Sequence, residues 1–260
     1  MDDSLALDAL RRRIAVGDPC VVPCAWRTFT TGNGDLDAVL GRGLAQGRLH
    51  EFYAPQVADA ASSTGFAAML ALRVKIGPVA WLRTEAAERA IGQLYMPGLA
   101  EAGGDPASLI LIMVPDDRML LRAAADAAAC QGLAVLIVEC WGKAPLLTLT
   151  ASRRLALAAE KSGVTLFLLR IGAEPAPSAA TTRWSITAAP SVALTPDAPG
   201  HGMVEVELLR QRSGPAGMRW QMEWNRDERA FRKPALPGAV AALAEHRTAD
   251  ADRRDTLRFA

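Results

Sequence analysis

Runs of mostly apolar residues, without alternation, mark the middle of the chain. These runs cover residues 78–83, 109–114, 133–140 and 164–170. A strand that is covered on both faces shows such a run, whereas a strand with one face in water alternates apolar and polar positions. The runs therefore predict buried parallel strands, and a shorter strand precedes them at residues 48–53.

Segments with helical periodicity separate the strands. They comprise residues 63–75, 85–102, 116–131 and 150–163. Asp116 and Thr150 stand where N-cap residues accept a hydrogen bond from the first helical turn, and Gly132 stands where a helix ends. Because strands and helices alternate along the chain, the pattern predicts an α/β domain.

The pattern changes after Gly172. Apolar and polar residues alternate within 182–188, 203–212 and 218–224, and Gly and Pro lie between these segments. Alternation predicts antiparallel strands with one face on the core. The chain as a whole predicts an α/β fold with a mainly parallel β-sheet flanked by helices, and with antiparallel edge strands on the C-terminal side.

Both ends of the chain differ from this core. Residues 1–24 predict a short helix and a linker, residues 25–232 the core domain, and residues 233–260 a charged tail. The helix, with Leu5 and Ile14, either docks on its own core or bridges to a neighbouring molecule. The tail is either a partner-binding segment or a solubilising one without a partner. Its candidate contact residues are apolar or basic: Val240, Leu243, Arg253, Arg254, Leu257, Arg258 and Phe259.

Charge and composition exclude several classes of function. Lys and Arg number 29 and Asp and Glu 28, so the net charge is +1 and no whole-molecule field attracts nucleic acid. The apolar runs fall far short of the ~18 residues that a membrane helix needs. The start of the chain lacks the pattern of a signal peptide. We expect a cytoplasmic protein without membrane contact, in which any DNA contact comes from a local patch.

Cysteine and histidine are too scattered for a zinc site or a disulfide framework. Cys20 and Cys24 have neither a second cysteine pair nor a histidine nearby. Buried thiols behave as small apolar side chains, and we expect these two to do so. The sequence therefore predicts neither a metal nor a cofactor.

The loop after the strand at 48–53 is where a parallel sheet would hold a phosphate. Such a loop needs backbone amides, a Lys for the phosphate charge and a Ser or Thr for Mg²⁺. Residues 54–67 read A-P-Q-V-A-D-A-A-S-S-T-G-F-A and contain no Gly-Lys-Ser/Thr, while Asp59 adds negative charge. Ser63, Thr64 and Gly65 are residual nucleotide-site candidates; alternatively, Ser62, Ser63 and Thr64 cap the next helix. Since losing a charged donor costs on the order of 10²–10³ in rate, we expect no efficient ATP hydrolysis.

Two glutamates follow predicted strands. Glu85 comes after 78–83, and Glu139 lies at the end of 133–140. In a nucleotidase they would activate the attacking water and hold the magnesium ion. Alternatively, they pair with neighbours such as Arg83 or Arg89, or remain solvated.

Several motifs resemble the RecA-type recombinases and, within that superfamily, the ImuA family. Residues 29–44 read F-T-T-G-N-G-D-L-D-A-V-L-G-R-G-L, and residues 47–53 read G-R-L-H-E-F-Y, which is similar to the segment that enters the RecA core. The likeness to ImuA proteins rests on 149–160, 178–184, 206–210 and 220–224. The resemblance spans about residues 25–232.

This resemblance implies a role in SOS-linked mutagenic translesion synthesis. ImuA proteins act beside ImuB, a catalytically defective Y-family polymerase homologue, and an error-prone C-family polymerase; RecA is a further candidate partner. The chain departs from RecA in its missing lysine and its short DNA-loop segments, where Lys143 and Arg183 are the candidate DNA contacts. Strand exchange is therefore not expected.

Three functions follow from these observations. The first is a non-catalytic RecA-like adaptor of the mutagenic complex. The second is a degenerate DNA-dependent ATPase, which would use backbone amides near Thr64 and Gly65 with Glu85 and Glu139. The third is a cell-division inhibitor of the SulA type, although the core is longer than that function needs. The adaptor is the function we expect.

Overall fold

A computed structural model describes residues 27–74, 77–191, 200–212 and 214–234. Its strands are β1 (Thr28–Phe29), β2 (Leu44–Ala45), β3 (Leu49–Ala54), β4 (Val79–Thr84), β5 (Leu109–Val114), β6 (Val135–Trp141), β7 (Thr165–Ile171), β8 (Thr182–Ala189), β9 (Met203–Gln211), β10 (Met218–Asn225) and β11 (Ala230–Arg232). Its helices are α1 (Gly34–Val39), α2 (Ala60–Ala71), α3 (Glu85–Ile91), α4 (Met96–Glu101), α5 (Asp117–Ala128) and α6 (Leu149–Ser162).

Nine strands form one sheet in the order β11-β10-β9-β8-β3-β7-β6-β4-β5. The six strands from β8 to β5 are parallel, and β9, β10 and β11 continue the sheet in antiparallel pairing. The mainly parallel sheet with antiparallel strands on the C-terminal side is therefore confirmed. The strands β6 and β7 lie in the middle and are buried along almost their whole length, as their apolar runs predicted.

Two apolar cores cover the two faces of this sheet. On one face, α2 packs against β3, β7 and β8, and its Phe66 meets Phe52 and Phe231. On the other face, α5 and α6 pack against each other and bury Leu120 and Leu155. We call these the α2 face and the α6 face.

The antiparallel strands curl around α2, and β10 and β11 each contact a segment outside the nine-stranded sheet. The indole of Trp224 in β10 donates to the carbonyl of Ala102 at the end of α4, at 2.9 Å. The amide of Phe231 in β11 donates to the carbonyl of Thr31, at 3.0 Å. At Gly32, a Cβ would lie 2.5 Å from that of Ala230, so this close approach requires glycine. The curl therefore encloses α2.

Several sequence-based boundaries need correction. The predicted helix at 85–102 is two helices, because Gly92 takes a φ of +81° after α3. The helix predicted from Ser63 begins at Ala60. Asp116 does cap α5, but Thr148 rather than Thr150 caps α6.

Two predictions about strands were also wrong. The run in β5 is not covered on both faces, because the neighbouring side chains Ile110 and Leu111, which point to opposite faces, are both exposed. The strand β8 was predicted to be antiparallel. It pairs antiparallel with β9 but in parallel with β3. The N-terminal helix, Cys20, Cys24 and the tail candidates from Val240 to Phe259 lie outside the described residues.

None of the helices in the described ranges is long and apolar enough to cross a lipid bilayer.

Candidate functional site

The connection from β3 to α2 occupies the position of the predicted phosphate loop. It contains a single 3₁₀ turn, Val57–Asp59, and α2 begins directly after it at Ala60. The carboxylate of Asp59 accepts a hydrogen bond from the backbone amide of Ala188 in β8, at 3.0 Å. A carboxylate attached to β8 therefore stands at the start of α2, where a phosphate would need positive charge.

Ser63, Thr64 and Gly65 lie inside α2 and not at its N-terminus. The prediction that Ser62, Ser63 and Thr64 cap this helix is wrong, because the N-cap position belongs to Asp59. The hydroxyl oxygens of Ser63 and Thr64 are buried and lack a hydrogen-bond partner among the described residues. Their helix positions place them beyond the first turn, whose free amides would hold a phosphate.

Thr64 and Gly65 contribute instead to an apolar pocket of about 140 Å³ between α2 and α4. Its other walls are Ala68, Met69, Trp81, Leu94, Tyr95, Met96, Gly98, Leu99, Ala102 and Leu109. A Cβ on Gly65 would meet no atom within 4 Å, so the pocket opens directly above this residue. The lining carries no cationic side chain, which makes it unsuited to a polyphosphate.

Glu139 in β6 is fully buried on the α2 face and has three partners. Arg83 in β4 reaches it with an Nη2–Oε1 distance of 3.5 Å. The indoles of Trp81 and Trp141 donate to its two carboxylate oxygens, at 3.2 and 2.7 Å. Arg83 also donates to the carbonyl of Gly92, at 3.1 Å. We call Glu139, Arg83 and the two tryptophans the α2-face cluster.

Glu85 has a different environment. It is the first residue of α3, and its carboxylate pairs with Arg89 at 3.5 Å on the exposed surface. Thr84 caps the same helix by accepting from the amide of Ala87, at 3.1 Å. Within the described ranges, no hydrogen bond or ion pair joins Glu85 to the α2-face cluster. The two glutamates therefore have separate partners, Glu85 on the surface and Glu139 in the interior.

A second buried acid lies on the α6 face. Glu51 in β3 accepts from Arg183 in β8 at 3.0 Å and from Ser178 at 2.6 Å, both on Oε2. The Tyr53 hydroxyl lies 3.4 Å from the same oxygen. Burial and the charge of Glu51 raise the pKa of Tyr53 above its usual value of 10. We call Glu51, Arg183, Ser178 and Tyr53 the α6-face cluster.

The two DNA-contact candidates occupy different environments. Lys143 is exposed in the turn after β6, and its carbonyl accepts from Arg170 at 3.4 Å. The side chain of Arg183 is only 12% exposed and is held by Glu51 and Ser178. Arg183 therefore points its charge into the protein rather than towards a phosphate backbone.

Most members of the two clusters were not predicted from the sequence. Trp81, Trp141, Glu51 and Tyr53 were not singled out, and Arg83 was named only as one neighbour of the glutamates. A usable signal was present, since a charged residue inside a buried apolar run has to find a partner. Arg83 and Glu139 interrupt two such runs.

Metal binding has no visible basis in this part of the chain. Across residues 27–74, 77–191, 200–212 and 214–234, no group of three or more His, Cys, Asp or Glu side chains could hold an ion. Glu51, Glu85 and Glu139 are each paired with an arginine, and Asp59 accepts from a backbone amide.

Comparisons with known proteins agree on one family and one fold. No family model matches the chain. Two curated sequences of Caulobacter vibrioides, from strains NA1000 and CB 15, are both named Protein ImuA and are 34% identical over 229 residues. The match covers 82% of this chain and 88% of each relative. Among solved structures, a RadB recombinase superposes with a TM-score of 0.56 at 16% identity, over 80% of this chain and all of that one. The last likeness concerns the fold alone.

Proposed function

Because the chain belongs to the ImuA family, we propose that it is a non-catalytic RecA-like adaptor of SOS-induced mutagenic translesion synthesis. In this role it binds an ImuB-type polymerase homologue, with RecA and an error-prone C-family polymerase as further candidate partners. Residues 25–232 supply the scaffold, and residues 233–260 are the proposed contact segment. The protein acts in the cytoplasm, on damaged DNA, through its partners.

The observation that carries this proposal is the set of residues at the carboxyl ends of the parallel strands. Asp59 occupies the start of α2, and the loop before it holds no lysine. Glu139, which would hold magnesium in a nucleotidase, is enclosed by Arg83 and two indoles. Opening this cluster to a metal would leave a buried arginine without its partner, which is costly.

ATP binding and turnover by the full chain test the non-catalytic part. We expect no turnover with Mg²⁺, with or without single-stranded DNA, and no saturable binding of ATP. Matched variants are Glu139→Gln and Glu85→Gln. Turnover above background that either variant abolishes would refute the proposal and support the degenerate DNA-dependent ATPase instead.

Co-purification with an ImuB-type protein tests the adaptor part. A chain that ends after Pro234 keeps the Lys233–Asp35 ion pair and so leaves the described fold intact. We expect this truncation to abolish the interaction. Changing Leu257 and Phe259 to Ala, and separately Arg253, Arg254 and Arg258 to Glu, shows whether apolar or ionic contacts dominate. Undiminished binding by the truncated chain would remove the tail from the proposal.

A SulA-type division inhibitor is the remaining alternative. Overproduction of the full chain distinguishes it, because filamentous cells without DNA damage are expected only of a division inhibitor.

A further inference from the structure

The strand β5 ends the sheet with an unusual sequence for an edge. It pairs with β4 in unbroken parallel register from Leu109 to Val114, and no strand of the described ranges pairs with its other side. Its residues read L-I-L-I-M-V and carry no charge. Ile110 is 47% exposed and Leu111 39%, and the two point to opposite faces of the sheet.

Edge strands normally carry features that prevent pairing with another chain, such as charges, proline, bulges or short length. The opposite edge of the same sheet has such features. There β11 is only three residues long and contains Arg232, which pairs with Glu228. Between its flanking residues Ser108 and Pro115, β5 has none of them. The two edges therefore differ in strand length and in charge, two of the properties that govern strand addition.

The occupant of this edge must have a specific pattern. It has to be extended for about six residues, uncharged, and apolar on both faces, because side chains of β5 are exposed on both. Within the described residues, only β5 itself combines an open edge with this pattern. A second β5 therefore fits the first one.

We propose that β5 pairs antiparallel with β5 of a second copy of this chain, so that the sheet continues across a twofold axis. Such a contact is closed, since each copy presents the same surface and no further edge remains at the junction. The pairing supplies partners for the outward backbone groups of β5 and covers Ile110 and Leu111. It does not depend on the adaptor function.

The mass of the full chain in solution is the first test. We expect about 55 kDa, twice the 27.6 kDa of one chain, falling towards the monomer on dilution. Leu111→Lys should raise the dissociation constant at least about tenfold, because it places two like charges at the junction. The matched control is Leu157→Lys, which changes a leucine that is 65% exposed. Leu157 lies on α6, and this helix packs against β3 and β7 rather than against β5.

Cysteine cross-linking identifies the strand pair itself. In a twofold antiparallel pair, one residue lies opposite its own copy. We expect either Leu111→Cys or Ile112→Cys, but not Leu157→Cys, to form a disulfide-linked dimer, with Cys20, Cys24 and Cys130 replaced by Ser. Cys140 can remain, because burial raises the pKa of its thiol to about 12.

Each result decides the proposal. A concentration-dependent dimer that Leu111→Lys weakens and that the β5 cysteines link would support it. A monomer at about 100 µM would overturn it. A dimer that Leu111→Lys does not weaken and that the β5 cysteines do not link would also overturn it. So would a series of larger oligomers in which the β5 cysteines form no disulfide. Circular dichroism of Leu111→Lys separates loss of pairing from loss of folding, and Ile110→Lys provides a second variant.

Discussion

Two buried ion pairs lie on opposite faces of the same sheet and differ in how they are completed. In the α2-face cluster, Arg83 and Glu139 come from strands, and the indoles of Trp81 and Trp141 close around the carboxylate. In the α6-face cluster, Glu51 and Arg183 come from strands, but Ser178 from the connection between β7 and β8 completes the set.

The two clusters stabilise different parts of the structure. Every partner of Glu139 belongs to β4 or β6, so this cluster joins two neighbouring strands of the sheet. Ser178 belongs to a segment of irregular backbone, and Ala176 of the same segment donates to the Tyr53 hydroxyl at 3.4 Å. The α6-face cluster therefore anchors a loop to the sheet. The carboxyl ends of the parallel strands therefore carry a strand-to-strand contact on the α2 face and a loop attachment on the α6 face.

Removing the arginine of the α2-face cluster should have the largest effect. We expect Arg83→Ala to lower the free energy of unfolding by roughly 3–5 kcal/mol, because Glu139 is left buried without its cation. The measurement is urea unfolding followed by tryptophan fluorescence. The control is the double change Arg83→Met with Glu139→Leu, which removes both charges and should recover most of the loss. A loss below about 1 kcal/mol for Arg83→Ala, the range of surface pairs, would contradict this account.

The residue beside Glu51 on β3 should give a pH effect of intermediate size. His50 is fully buried between Thr182 and the carbonyl of Ala45, and burial lowers its pKa from 6.5 to about 4. The fold therefore holds the neutral ring. Its contribution is complete above pH 6.5 and is lost as the pH falls towards 4, by about 3 kcal/mol in total.

The measurement for His50 is the slope of unfolding free energy against pH between 7 and 4, compared with His50→Gln. The comparison matters because carboxylates also titrate in this range. The variant should have the shallower slope, whatever its stability at pH 7. Equal slopes would show that His50 is not held neutral.

Breaking the α6-face pair should have a smaller and more local effect. Arg183 is partly exposed, so we expect Arg183→Ala to cost about 2 kcal/mol, less than a fully buried pair. Hydrogen exchange should accelerate in residues 173–181 and remain slow in β6. Because the two clusters occupy opposite faces, the losses of Arg83→Ala and Arg183→Ala should add within about 0.5 kcal/mol. Exchange that accelerates equally in both regions would mean that this pair belongs to the global core.

Glu85→Gln should have the smallest effect, below about 0.5 kcal/mol, because its ion pair with Arg89 lies on the exposed surface. The same unfolding measurement applies, with Glu139→Gln as the buried counterpart. A loss for Glu85→Gln as large as that for Glu139→Gln would remove the distinction between the two glutamates.

The sequence predicted the fold better than the site. The apolar run at 109–114 and the N-cap Asp116 coincide with β5 and the start of α5, because local pattern and capping decide both. The position of β5 at the edge was not predictable, since strand order depends on contacts distant in sequence. The indole of Trp224 and the carbonyl of Ala102, which hold the curled sheet, are 122 residues apart.

The candidate site was likewise predictable only where local sequence decides it. The missing lysine and the acidic Asp59 are visible in the sequence, and so is the presence of Glu139 near a strand end. The two indoles enclose Glu139 because side chains of β4 and β6 point to the same face of the sheet. The alternation of side chains along a strand shows which residues share a face, but the register between strands decides which of them meet. The segments that carry the tail and the N-terminal helix stay predictions.

The contact between Thr31 and Phe231 has a consequence for how the ends of this protein meet a partner. The described chain begins four residues before Thr31 and stops three residues after Phe231, and Asp35 and Lys233 form an ion pair beside them. The two ends of the described fold therefore approach each other at Thr31 and Phe231. Binding surfaces at these two ends would meet one partner at a raised effective concentration, because one fold holds them together. A partner that contacts both ends would then bind with an avidity that neither contact has alone.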